Sequence, residues 1–156
     1  MSDSKKKLHD EILRVFAARS LPGKELIPDG KGRDEDYQRI ARELGGKSWT
    51  QVPRPVVEKL RGSLSFFSAA GFQAHLPAFL AAALDDDDVR EALVFALVPP
   101  KELSLRAHAE ERQGLLSASE RAVVSDVLGY LHRHHGEDFA GGETERAAKA
   151  WEPAKA

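Results

Sequence analysis

Apolar residues recur along most of this chain at helical spacing, and nowhere do they show the sustained alternation of a half-buried strand. Leu8, Ile12, Val15 and Phe16 define an amphipathic first helix expected over residues 4 to 19. The run LPGKELIPDGKG, residues 21 to 32, breaks the pattern with two Pro and three Gly and reads as a loop. A second helix is expected from about Asp34 to Leu44, burying Tyr37, Ile40, Ala41 and Leu44. Asp34, Glu35 and Asp36 place negative charge on its first turn, which suits the dipole, and Gly45 closes it. Pro53 and Pro55 introduce a third helix ending near Gly62, and Leu64 to Phe67 form a brief apolar link. Ser68 is placed to cap a helix carrying Phe72. Pro77 either starts another helix or kinks the same one, which runs on through Phe79, Leu80 and Leu84.

Asp85 to Asp88 precede the helical run VREALVFALV, which stops at Pro99-Pro100. The polar stretch 101 to 114 reads as a helix exposed on one side. Ser117 and Glu120 have the spacing of a capping box, the clearest helix start in the chain. That helix carries Val123, Val124, Val127, Leu128 and Leu131 and ends at Gly136. Gly141-Gly142 then separate a short last helix, ETERAAKAW, that can dock Trp151. The pattern therefore predicts an all-α fold, a compact single-domain bundle of six to eight helices, several of them short. The domain spans 1–156, with a core over about 4–136 and a Gly-containing link plus C-terminal helix over 137–156. A chain of 156 residues, 42% of them hydrophobic, suits one domain and can bury roughly 70% of its unfolded surface.

Composition narrows the function classes. With no cysteine, disulfides, thiolate metal sites and a cysteine nucleophile are excluded. The 23 Lys plus Arg against 25 Asp plus Glu leave a net charge of −2, so no nucleic-acid partner is expected. Lys5 to Lys7 form the only basic arm that would suit one. Residues 1 to 61 carry 14 basic and 10 acidic side chains, whereas residues 62 to 99 carry one and five. Such polarity can steer a charged partner. The first twenty residues lack the apolar run of a secretory signal, since His9, Asp10, Glu11 and Arg14 interrupt it. The uncharged stretch Gly62 to Leu84 holds three Ser, Gln73, His75 and Pro77, too polar for a membrane span. A cytoplasmic protein is expected.

Each patch of candidate chemistry has a plainer explanation beside it. Gly45-Gly-Lys-Ser48 resembles the end of a phosphate loop, but Ala41 stands where that loop needs its first glycine. A helix-closing glycine followed by a surface lysine explains it. His132, His134 and His135 cluster at a helix end, and His132 and His135 share a face as two metal ligands would. No third ligand is marked, and imidazoles also suit the negative end of a helix dipole. No metal or cofactor is expected. The aspartate run Asp85, Asp86, Asp87 and Asp88 lacks the alternation and glycine of a calcium loop. It is the strongest local negative patch, and a basic partner surface could dock there. His75 lies in the uncharged segment, where it is a hydrogen-bonded core residue or the polar group of an apolar pocket beside Trp49. No catalytic motif is present.

The blocks Gly46-Lys47-Ser48-Trp49, Leu64-Ser-Phe-Phe67, Gly71-Phe72 and Leu76-Pro-Ala-Phe-Leu80 resemble a bacterial domain-of-unknown-function family of small single-domain proteins. That family shares a GKxW, LSF, F and YLPAFL core, with His75 here in the tyrosine's place. The resemblance covers most of residues 8 to 135. It implies a shared fold and a bacterial source, and it brings no activity, substrate or catalytic residue. The function expected is binding of another protein, in a regulatory or immunity-type role, through Asp85 to Asp88. The alternative is a small-molecule binder or enzyme with its pocket near His75 and Trp49.

Overall fold

The computed structural model describes residues 3–29 and 34–153. Residues 30–33, which include the end of the expected 21–32 loop, lie outside the described residues. Among the described residues there are eight α-helices and no strand: α1 Asp3–Val15, α2 Glu35–Leu44, α3 Arg54–Lys59, α4 Ala69–Ala83, α5 Asp87–Leu97, α6 Leu103–Leu115, α7 Ala118–His135 and α8 Glu143–Ala150. Short 3₁₀ turns occupy Gly23–Glu25, Trp49–Gln51, Arg61–Phe66 and Gly136–Asp138. The all-α fold follows from the helical periodicity, and the boundaries differ in three places. The first helix stops at Val15 rather than residue 19. The third ends at Lys59, and the apolar link beyond it winds into a 3₁₀ turn. Pro77 neither starts nor ends a helix: it lies inside α4, where its missing N–H costs one backbone bond.

The caps explain most of the starts. Asp34 accepts from the Asp36 amide, Ser68 from Gly71, Asp86 from Val89 and Ser117 from Glu120. At Ser117 the capping box is complete, because the Glu120 carboxylate reaches back to the Ser117 amide at 2.8 Å. Ser68 also donates to the Glu25 carbonyl at 2.7 Å, tying the loop before α2 to the start of α4.

α4 is the centre of the molecule. It is apolar nearly all round, and such a helix is stable only when covered on every side. α1, α3, α5 and α6 pack on it, together with the turn carrying Trp49. Phe67, Phe72 and Phe79 are fully buried there, each burial contributing about 1.5–3 kcal/mol. α7 lies against α1 and α8. The core reaches past residue 136, since Phe139, Ala147 and Trp151 are all buried in it. No helix among the described residues is long and apolar enough to cross a membrane.

Candidate functional site

α5 ends at Leu97 and Pro99-Pro100 carry the chain outward, so α6 returns across α4 with a cleft left between α5 and α6. The inner part of that cleft has a volume of about 430 Å³. Its walls are Leu97 to Pro100 on one side and Ala109, Arg112 and Gln113 of α6 on the other, with Phe72 and Trp151 between. Two hydrogen bonds hold the walls in place. Gln113 donates to the Ala150 carbonyl at 2.7 Å, and the Trp151 indole N–H donates to the Leu97 carbonyl at 3.0 Å. The Phe72 and Trp151 rings stack with centroids 6.1 Å apart.

Arg112 sits at the centre of this arrangement, only 7% exposed. Its Nη2 donates to the carbonyls of Ser65 and Phe67, the latter at 2.9 Å, and its guanidinium lies 5.3 Å from the Phe72 ring centroid. Burial pulls its pKa down to about 10, against weaker opposing pulls from Tyr37 and Glu111, so it remains charged at neutral pH. Its Nε is buried with no acceptor. Arg106 donates to the Pro100 and Lys101 carbonyls and Arg146 to the Gly141 carbonyl. Among the described residues, none of the three arginines pairs with a carboxylate.

The outer part of the cleft, about 600 Å³, shares Arg112 and Arg146 and adds Arg61, His108, Phe95 and Leu105. Phe95 is 56% exposed and Leu105 52%. Two large apolar side chains so open to water are unusual when they face the same groove.

The residues singled out by sequence lie elsewhere. Asp85 is held by Lys5 at 3.2 Å, His9 at 3.4 Å and Arg54 at 3.7 Å. Burial would raise its pKa, but the Lys5 hydrogen bond and charge, with Arg54 nearby, hold it below the usual carboxylate range. Asp86 caps α5 and Asp87 pairs with Arg90. Asp88 is exposed on the first turn. Three members of the acidic run are therefore engaged within the chain.

His75 is fully buried with both ring nitrogens lacking a partner, and it stacks on Phe67 at 6.0 Å. The expected carbonyl partner is absent among the described residues, and burial pushes the imidazole pKa down to about 4. Trp49 is buried with its indole N–H unpaired. Neither residue lines the inner or the outer cleft. His132 bonds through Nδ1 to the Thr144 hydroxyl at 2.9 Å, joining α7 to α8. His134 packs its ring on Tyr130, 4.2 Å between centroids. Among the described residues no group of three or more His, Asp or Glu could hold a metal. The Gly45-Gly46 pair closes α2, and Gly46 has a φ of +75°, which a glycine adopts without strain.

The polarity of the stretch 101 to 114, expected as a helix exposed on one side, gave by itself no sign of a role for Arg112. A signal was present: Leu105, Ala109, Arg112 and Leu116 fall on one face of the helix, so a lone arginine interrupts an apolar stripe. A model described as a family of unknown function (DUF6714) matches residues 5–155. No curated protein and no solved structure matches the chain.

Proposed function

The chain belongs to the DUF6714 family of unknown function; from that premise, which supplies no activity, we propose that it acts by binding a partner protein in the outer groove. The occupant is a segment rich in acidic side chains that also carries apolar ones. The single observation behind this is the juxtaposition of exposed Phe95 and Leu105 with Arg61, Arg112 and Arg146 along one groove. Apolar side chains supply the affinity of such a contact, and unneutralised arginines select an acidic partner and speed its arrival. Glu143 is the one carboxylate among the residues lining that groove. A bacterial, cytoplasmic setting belongs to the same proposal, supported by the likeness of the GKxW and LPAFL blocks. A regulatory role of the immunity type, in which the held partner is blocked, is its sharpest form. Asp85 to Asp88 are the less favoured surface, because three of them are spent on internal contacts.

A photo-crosslinking side chain placed at position 95, with position 13 as control, tests this in lysate of the native host. Leu13 is equally exposed but lies on α1. The expected result is a segment captured from position 95 alone, acidic and partly apolar. A synthetic peptide of that segment then binds the free protein, and the double variant Phe95→Ser/Leu105→Ser weakens it by about tenfold or more. Identical capture from both positions, a segment without acidic residues, or a peptide indifferent to the double variant would overturn the proposal.

A further inference from the structure

Arg90 and Arg112 are both buried, and the chain treats them differently. Arg90 is 5% exposed, its Nε donates to the Ala83 carbonyl at 3.1 Å, and its Nη1 pairs with the Asp87 carboxylate. That is how a buried guanidinium is satisfied when its task is to hold a fold. Arg112 has two carbonyls on Nη2 and the face of Phe72, but no carboxylate, and its buried Nε has no acceptor among the described residues. A buried charge without a counter-ion is costly, and an unpaired donor on it adds to the cost. Arg112 also lines the inner cleft, whose volume falls within the range of about 300–1,000 Å³ usual for small-molecule sites.

We infer that the inner cleft is a binding site for small organic acids, with the carboxylate on Arg112 and an apolar body between Trp151 and the Leu97 to Pro100 wall. The rest of the lining sets the charge of the ligand. Arg106 donates to the Pro100 and Lys101 carbonyls and Arg146 to the Gly141 carbonyl, while Lys101 adds a positive charge to the lining and Glu110 a negative one. With Arg112 lacking a counter-ion and four basic side chains against the one carboxylate Glu110, the lining favours an anion. A carboxylate on an apolar body matches both Arg112 and the Trp151 wall. The site shares Arg112 and Arg146 with the partner groove but not its apolar anchors, since Phe95 and Leu105 do not line the inner cleft.

The test uses 4-phenylbutyrate and its neutral amide as probes, in isothermal calorimetry on the whole chain. The Trp49→Phe variant leaves Trp151 as the only indole, so its emission reports occupancy of this cleft and no other. The acid is expected to bind and shift that emission, with the amide weaker by about tenfold or more, the weight of one charge-assisted hydrogen bond. Arg112→Gln is expected to erase the preference for the acid. Should that variant fail to fold, Ala109→Phe, at a half-buried position on the same wall, fills the cleft with Arg112 intact and is expected to abolish binding. Equal affinity for acid and amide, no binding by either, or a preference that survives either folded variant would overturn the inference. Loss of the partner in the Phe95→Ser/Leu105→Ser variant, with acid binding unchanged, would separate this site from the groove.

Discussion

His75 shows what a single buried side chain does to the whole stability curve. In the folded protein it is neutral, without a hydrogen-bond partner, and its pKa is about 4 rather than the ordinary 6.5. Between those two values the unfolded chain binds the proton and the folded chain does not. Stability from this residue is therefore complete above pH 6.5 and falls as the pH drops toward 4, a loss of about 3 kcal/mol by the lower value. Urea titrations at pH 7 and pH 4 measure it, with His75→Leu as the comparison. The variant is expected to lose about that much less stability between the two pH values, because its side chain cannot take the proton. An equal loss in both proteins would mean that His75 is hydrated or hydrogen-bonded in solution. Sequence left His75 open between a hydrogen-bonded core residue and the polar group of a pocket, and it could not show that the ring is buried without a partner. Which atoms face a side chain is decided by Phe67 and by helices distant in sequence.

At the scale of elements, what could be read from sequence were the features whose cause is local. The Ser117–Glu120 box, the Ser68 cap and the Pro99-Pro100 stop all act within one turn, and each stands where its spacing put it. The 3₁₀ turns left no such signal, since a three-residue turn is too short to show a period. The close approach of α4 to the loop before α2 was equally silent. A Cβ at Gly71 would lie 2.6 Å from the Leu26 carbonyl oxygen, and that is backbone, which cannot swing aside. Gly71→Ala is expected to destabilise by about 1–3 kcal/mol, although alanine is the better helix former. Gly114 in α6 supplies the control, because nothing lies within 4 Å of its Cβ position. There the same change is expected to stabilise by about 0.5–1 kcal/mol. Thermal or urea unfolding of the two variants measures both signs. A neutral or stabilising Gly71→Ala would mean that α4 and the loop are not in contact as described.

Across the whole molecule, the cleft exists because elements far apart in sequence close on one another, and Trp151 is where they meet. Its indole N–H holds the Leu97 carbonyl at the end of α5, its ring stacks on Phe72 of α4, and it follows directly on α8. Arg112 continues the same stack from α6, bonded to carbonyls some 45 residues earlier in the chain. No window of sequence contains such a site, so periodicity found the helices and missed the cleft between them. Even so, the lone arginine on the apolar stripe of α6 marked its position. Since Trp151 serves as both core residue and cleft wall, its two contributions are separable by graded substitution. Trp151→Phe keeps an aromatic ring beside Phe72 but leaves the Leu97 carbonyl without its donor, an expected cost of about 1–3 kcal/mol. Trp151→Ala removes the ring as well and opens a cavity under α8, an expected cost of about 3–5 kcal/mol. Urea unfolding of the two variants measures the order, and a Phe variant as unstable as the Ala variant would assign the contact to the hydrogen bond alone. If the ring dominates, α8 is held chiefly by packing, and the inner cleft keeps its shape whenever an aromatic side chain fills that position.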